Sequence, residues 1–466
     1  MIGREPRVRL RWGLELRMHK GFARVSWVAA FALASACDDP LQAGVSAAGS
    51  SAHSGGAGRA GHASAPRDSD DAGEPLTAGQ GGRLASAGVQ LLVHGPRLGL
   101  QLTEADVAQD AAVISMHQEF YGIPWQAFET GSAPPVEWSS LLDEQAAFAH
   151  ARPVFLSISM LNGARERLAA TTRIESGQVK TDDTSSAACY DFARAPDAAS
   201  KKQAYLRYVD DMVARFEPRF LNIAVEVNLF FEKCPAATPG LIAFLDDVYA
   251  HVKAQRPALA VFPSFQIDHL YGYSDDSCPD QTDRDACFER AYAQLQDIPR
   301  DRFAMSSYPF LSAIGSVDKL PADWFERGAR LRNERPVIAE TGWLSTPLVA
   351  RRGSQCVTVF SFTVDDSAAY LGRVLADSER LNMDLVTWWS DRDLVPSQLM
   401  TDCPCNDDAT FCSVLDIFRG PEQASAPEVP FLNEVLLKAF GSMGLRAYDG
   451  TPKSALMQLW AAAKQP

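Results

Sequence analysis

Two glutamates in this chain stand where a carboxylate can do chemistry on a neutral substrate. Glu226 lies in the run Leu221-Asn222-Ile223-Ala224-Val225-Glu226-Val227-Asn228, and Glu340 closes the run Arg335-Pro336-Val337-Ile338-Ala339-Glu340 before Thr341-Gly342-Trp343. Both runs are short, apolar and rich in branched residues, so each reads as a buried strand with an acid near its carboxyl end. Two such acids facing one cavity can divide the labour: one protonates a leaving group while the other, ionised, attacks or stabilises the carbon left behind.

The elements that position them follow from the alternation of apolar runs with helical patterns after Gly88. Eight strands are predicted, over Gly88 to Leu92, Ala112 to His117, Val154 to Ser159, Phe220 to Asn228, Ala260 to Gln266, Phe303 to Tyr308, Pro336 to Thr341 and Leu385 to Trp389. Helical patterns between them include 201–216, 241–255, 284–296, 323–332 and 367–381. The fold class is α/β, a (β/α)8 TIM barrel. A doubly wound open sheet is the other architecture for such a pattern, but Gly88-Val89-Gln90 offers no glycine-rich phosphate loop after the first strand. In the fourth strand Leu221, Ile223, Val225 and Val227 make one face, which sends Glu226 and Asn228 together to the other, toward the barrel mouth.

Around the two acids, Tyr308, Trp343 and Trp388, with Trp389 as the neighbouring choice, offer flat apolar faces to pyranose C–H groups. His117, Asn228, Gln266 and Asp391 can bond hydroxyls, and His269 and Tyr271 follow the fifth strand as a subsite wall. Such a site fits retaining hydrolysis of a glycosidic bond, which needs two carboxyls about 5 to 5.5 Å apart. Each side chain also has a plain structural role open to it: Glu in an ion pair, Trp in packing, His117 satisfied in the core, Asp391 as a loop cap.

Glu340-Thr341-Gly342-Trp343 resembles the nucleophile strand of clan A glycoside hydrolases, especially families 17 and 53. Ala224-Val225-Glu226-Val227-Asn228 is similar to the clan's fourth-strand acid/base motif, and Ser307-Tyr308-Pro309 to the sixth-strand tyrosine motif of the family 53 type. The resemblance spans about Gly88 to Trp389 and implies Glu226 as general acid/base and Glu340 as nucleophile, with Glu226 protonated and Glu340 ionised before attack. Ile114 to Trp125 resembles a second-strand and loop motif of bacterial secreted lipoproteins. Two departures stand out: Val225 occupies the place of the clan's asparagine before the acid/base, and the clan's second-strand arginine has no counterpart, Arg165 lying beyond the third strand. Val225 keeps open a second reading, a surface lipoprotein that binds glycan on a TIM-barrel scaffold without cleaving it. A metal-dependent hydrolase would need a cluster of His and acids at the strand ends, where only His117 and His269 stand. No cofactor or metal is expected.

The rest of the chain bears on place and partners. The formal net charge over 466 residues is -14, without a basic stripe, so no nucleic-acid partner is expected. Residues 1–36 read as a signal peptide, with an apolar run from Val25 to Leu33 and Ala34-Ser35-Ala36 before Cys37, and with Met18 as an alternative start. Cutting before Cys37 with lipidation of its thiol gives an envelope lipoprotein whose one membrane contact is that anchor; cutting there without lipidation gives a secreted protein. Residues 37–82, dominated by Ala, Gly and Ser, form a disordered tether, and 83–466 the barrel domain. Eight further cysteines in an exported chain point to disulfides. Cys278 with Cys287 is the simplest pair, and Cys356 is expected to join the segment of Cys403, Cys405 and Cys412, for which a zinc cluster is the competing reading. Past the barrel strands a helix is expected over 430–442, then an amphipathic end.

Overall fold

The computed structural model describes residues 87–90, 97–183, 186–273, 278, 283–312, 314–403, 431, 434–435 and 438–464. The expected signal peptide and tether, with Cys37, and also Cys405 and Cys412, lie outside the described residues.

Eight parallel strands carry the domain: β1 (Ala87–Gln90), β2 (Val113–His117), β3 (Val154–Ser157), β4 (Phe220–Asn222), β5 (Ala260–Phe262 and Ser264–Gln266), β6 (Phe303–Ser307), β7 (Pro336–Thr341) and β8 (Val386–Trp388). Pro263 splits β5, since proline has no N–H to give to a ladder. The first half of β5 pairs with β4 and the second half with β6. The sheet therefore closes on itself in the order β5-β4-β3-β2-β1-β8-β7-β6-β5. Closure settles the architecture as a (β/α)8 barrel rather than an open doubly wound sheet. One principal helix follows each strand: α1 (Arg97–Asp110), α2 (Val136–Ala149), α3 (Ala198–Phe216), α4 (Thr238–Gln255), α5 (Arg284–Ala293), α6 (Arg327–Arg332), α7 (Val364–Arg380) and α8 (Ser454–Lys464).

The barrel interior is built in layers by the two-residue repeat of the strands. Val113, Phe155, Phe220, Phe262, Ala304, Val337, Ala339 and Leu385 form an apolar floor. The phenylalanines of β3 to β5 fill the volume that the alanines of β6 and β7 leave. Two residues further along five of these strands stand Ser115, Ser157, Asn222, Ser264 and Ser306, all buried. Asn222 binds this polar ring together, its Nδ2 donating to Ser157 Oγ (3.3 Å) and Ser264 Oγ (3.0 Å). The next tier holds His117 and Tyr308. Outside the sheet, the helices bury their apolar stripes in a second core; α7, for instance, starts with a Thr363–Asp366 capping box and buries Tyr370, Leu371 and Val374.

Two hairpins absent from the sequence expectation rise from the loops after β3 (Thr171–Glu175 with Gln178–Asp182) and β7 (Leu348–Arg352 with Gln355–Phe360). The first turns at Ser176 (φ 53°) and Gly177 (φ 78°), the left-handed pair that tight hairpins require. Disulfides join Cys189 to Cys234, Cys278 to Cys287 and Cys356 to Cys403. The second was expected outright and the third as a link from Cys356 to the cysteine-rich segment; it leaves Cys403 bonded to a cysteine. The first staples the β3 loop to the short helix Asn228–Lys233 after β4.

The chain returns over the mouth at its carboxyl side. Ser345 N donates to Ser442 O (3.0 Å), Trp388 Nε1 to Met443 O (2.8 Å) and Trp460 Nε1 to Asp110 O (2.8 Å). Residues 438–446 thereby lie against the ends of β7 and β8.

Candidate active site

The site begins where β4 stops behaving as a strand. Its ladder ends at Asn222, although Ile223 N still donates to Phe262 O and Val227 N to Ser264 O (2.9 and 3.1 Å). Glu226 then takes a left-handed backbone (φ 52°), which costs a non-glycine residue on the order of 1 kcal/mol or more and is found where function or packing demands it. Its amide donates to Ser264 Oγ (3.1 Å), so the polar ring holds the turn. The expected alternation that would send Glu226 and Asn228 the same way is broken here. Asn228 instead starts the short helix and exchanges two bonds with the backbone of Gln266, Nδ2 to O (3.0 Å) and N to Oδ1 (2.8 Å). Gln266 in turn caps the helix Ile267–Leu270, its Oε1 accepting from His269 N (3.1 Å). Both expected hydroxyl ligands thus serve to fix β4 against β5.

The carboxylates themselves come together over β6. Ser306 and Tyr308, two residues apart on one face, each hold one of them: Ser306 Oγ donates to Glu226 Oε1 (2.7 Å) and Tyr308 Oη to Glu340 Oε1 (2.7 Å). A register shift between Ile338 and Glu340 sets Glu340 beside Ser306, one strand spacing of about 4.8 Å away. Arg165, from the β3 loop, reaches Glu226 Oε2 with Nη2 (3.4 Å) and grips Glu119 through Nη1 (2.8 Å) and Nη2 (3.3 Å). His117, at the tip of β2, brings Nδ1 to 3.6 Å from Glu340 Oε2. Neither His117 nitrogen nor that Oε2 has a hydrogen-bond partner in the protein.

Burial sets the charges. Glu226 is 2%, Glu340 4%, His117 4% and Arg165 0% exposed, so the site is closed over. Burial, and after it the charge of Arg165, pushes His117 down to about 3, which leaves a neutral imidazole. Burial together with the neighbouring charge of Glu226 raises Glu340 well above the usual carboxylate range, against the opposing bond from Tyr308. Sequence reasoning expected Glu340 ionised and the proton on Glu226; burial and the neighbouring charge instead favour the neutral acid at Glu340, while Arg165 sits against Glu226.

The aromatic expectations need correction. Trp343 is buried among Phe362 (5.1 Å) and Tyr370 (4.9 Å), in the layer between β7 and α7, and cannot face a ligand in the mouth. Trp388 packs on Tyr370 (6.2 Å) and is bonded to Met443, so it also points outward. Trp389 is the ring at the site, edge-on to His117 (6.0 Å) and to Phe440 (5.7 Å). Asp391 is likewise not with the glutamates. It is buried beside Arg446 (3.9 Å), which also binds Asp110 (2.6 Å) of α1. Burial and the charges of Asp110 and Asp106 push it up to about 7. His269 pairs with Glu232 (2.8 Å), and Tyr271 stacks on Trp324 (4.5 Å).

Sequence reasoning missed Arg165, Glu119 and Ser306 as members of the site and set Trp389 behind Trp388. The one usable signal was the spacing of Ser306 and Tyr308, which puts both on the face that looks inward. Arg165 and Glu119 belong to loops whose path no periodicity reveals.

No family model and no curated protein matches the chain. Among solved structures it is similar to a GH5_18 protein from Bifidobacterium longum subsp. infantis, at 14% identity over 79% of this chain and 74% of that one, with a TM-score of 0.45. A family 39 glycoside hydrolase from Bacteroides cellulosilyticus WH2 aligns at 14% identity over 82% of this chain and 64% of that one, TM-score 0.42. β-Glucuronidase 2 of Bacteroides uniformis aligns at 12% identity over 81% of this chain, which spans only 35% of that protein, TM-score 0.42.

Proposed function

We propose that the protein is a retaining O-glycoside hydrolase that acts on an extracellular poly- or oligosaccharide. The observation that carries this reading is the buried pair of Glu226 and Glu340, each held by its own donor from β6. The pair has one cation and one neutral imidazole about it, and double displacement needs a single proton shared between the two carboxylates. In the proposed cycle Glu226 protonates the leaving oxygen and later activates water, while Glu340 attacks the anomeric carbon and forms the glycosyl-enzyme. This assignment requires Glu226 to hold the proton and Glu340 the charge once the sugar is bound. His117 Nδ1 and Glu340 Oε2, both without protein partners, are the polar atoms free to meet a sugar hydroxyl, and Trp389 supplies the adjoining aromatic surface.

The burial of the site and Val225 favour a second reading, a glycan-binding barrel without turnover. In both readings the domain is exported, tethered by residues 37–82, and anchored through a lipid on Cys37. Purified residues 82–466, incubated with β-glucans, galactans, mannans and xylans, decide between them. Sugar release by the parent and none by Glu340→Gln is the expected result; binding with no release from any polymer would establish the second reading.

A further inference from the structure

Three carboxylates, Glu119, Glu226 and Glu340, meet at the barrel mouth around one buried guanidinium. We infer that Arg165, held by Glu119, is a positioning residue that decides which member of the Glu226–Glu340 pair carries the proton they share; this rests on the hydrolase reading above.

The geometry assigns each oxygen a distinct situation. Both terminal nitrogens of Arg165 bind Glu119, one of them is shared with Glu226 (3.4 Å), and Nη1 also donates to Asn162 O (3.0 Å). The loop that presents Arg165 is itself framed, with Asn162 Oδ1 accepting from the amides of Glu166 and Arg167 (3.0 Å each) and its Nδ2 donating to Asp183 (3.0 Å). Arg165 stands there with a left-handed backbone, φ 54°. Glu226 consequently has a donor on each oxygen, Ser306 on one and Arg165 on the other. Glu340 has Tyr308 on Oε1 only, and its bare Oε2 faces the neutral His117 Nδ1 at 3.6 Å. A proton is best placed on the oxygen that has no donor, which is Glu340 Oε2.

Charge counting agrees. With all three acids ionised and His117 neutral, the closed site would hold two uncompensated negative charges, which burial penalises heavily. The next cation, Lys233, turns its ammonium to Ala164 O (2.6 Å), a backbone group of the same loop, rather than to a carboxylate. Arg165 is then the group whose allegiance is divided, and Glu119 sets how much of its charge reaches the pair.

The signs follow. In Glu119→Gln the guanidinium keeps an amide partner but loses a competing anion, so more of its charge reaches Glu226 and the shared proton stays on Glu340. In Arg165→Gln that hold is lost and the proton passes to Glu226, so the Glu340 midpoint falls, and Arg165→Lys restores part of the difference. Carboxyl NMR titration of glutamate-labelled protein, with Glu340 assigned from Glu340→Gln, reads these midpoints without substrate. The acid limb of the kcat/KM profile for sugar release should move the same way. A Glu340 midpoint that falls in Arg165→Gln and recovers in part in Arg165→Lys supports the inference; one that rises in Arg165→Gln, as loss of a nearby cation alone would make it, overturns it, and so does a proton displaced to Glu226 in Glu119→Gln even if Arg165→Gln fails to fold. Failure of the hydrolase reading would appear separately, as a parent protein that releases no sugar whatever its carboxyls do.

Discussion

Tyr308→Phe isolates a single interaction at the centre of the site. The variant removes one oxygen from a fully buried ring and nothing else, deleting the 2.7 Å bond to Glu340 Oε1. A hydrogen bond to an ionised group contributes about 1.5–3 kcal/mol, whereas one to the neutral acid contributes about 1 kcal/mol. The difference falls on the ionised form, so losing the donor raises the pKa of the pair further. At about 1.4 kcal/mol per unit the rise is roughly half a unit to 1.5 units. The sign is fixed because the bond favours the charged carboxylate. The acid limb of kcat/KM should therefore move to higher pH by that amount, with a loss of ~3- to 30-fold below the limb and recovery above it. Stability, measured by urea unfolding at a pH where Glu340 is protonated, should fall by only about 1 kcal/mol. A pH-independent loss, or a profile that superposes on the parent, would refute the assignment of Tyr308 as the donor that holds Glu340 ready to ionise.

Gly342→Ala should destabilise by ~1–3 kcal/mol in urea unfolding, because its Cβ would lie 2.7 Å from Met443 Sδ and 2.8 Å from Trp389 O, and a backbone oxygen cannot swing away. Asp391→Asn should change the pH dependence of stability. Burial holds this carboxyl up at about 7 in the folded state, so the parent loses stability between pH 4 and 7 and stays penalised above; the variant should gain on the order of 4 kcal/mol at pH 8 and little at pH 4, by thermal unfolding at both. Replacing Cys189 and Cys234 together by Ala opens a link across 45 residues and should cost ~2–4 kcal/mol, with greater protease cleavage of the β3 loop as the local readout.

What could be read beforehand follows the physics of each element. The strands were legible because a barrel strand is covered on both faces, and β7 occupies its expected span to the residue. The helices α3, α4 and α7 were legible from their stripes, though each starts three residues before its expected bound. Failures lie where local conformation overrides periodicity. At Glu226 one left-handed residue cancels the two-step rule, so Asn228 was given the wrong job. At Trp388 and Trp389 alternation foretold that one ring faces in but could not tell which. Trp343 and Asp391 were assigned to the mouth for lying just past strand ends, yet the chain there has already turned toward the outer layer. Arg165 and Glu119 meet through loops separated by 46 residues, a pairing that only the closed barrel creates.

The strap of residues 438–446 has a consequence for how the molecule is made. Phe440 packs on both Tyr308 and Trp389, and Arg446 is tied to Asp110, 336 positions earlier. During synthesis the strands bearing both glutamates leave the ribosome well before the strap that roofs them. A partly emerged chain thus has an unroofed mouth and an unmatched first helix, and contacts of such long sequence separation form slowly. On the proposal that the chain is exported, this ordering is favourable: it delays the final lock until the whole polypeptide is available, leaving it threadable until then.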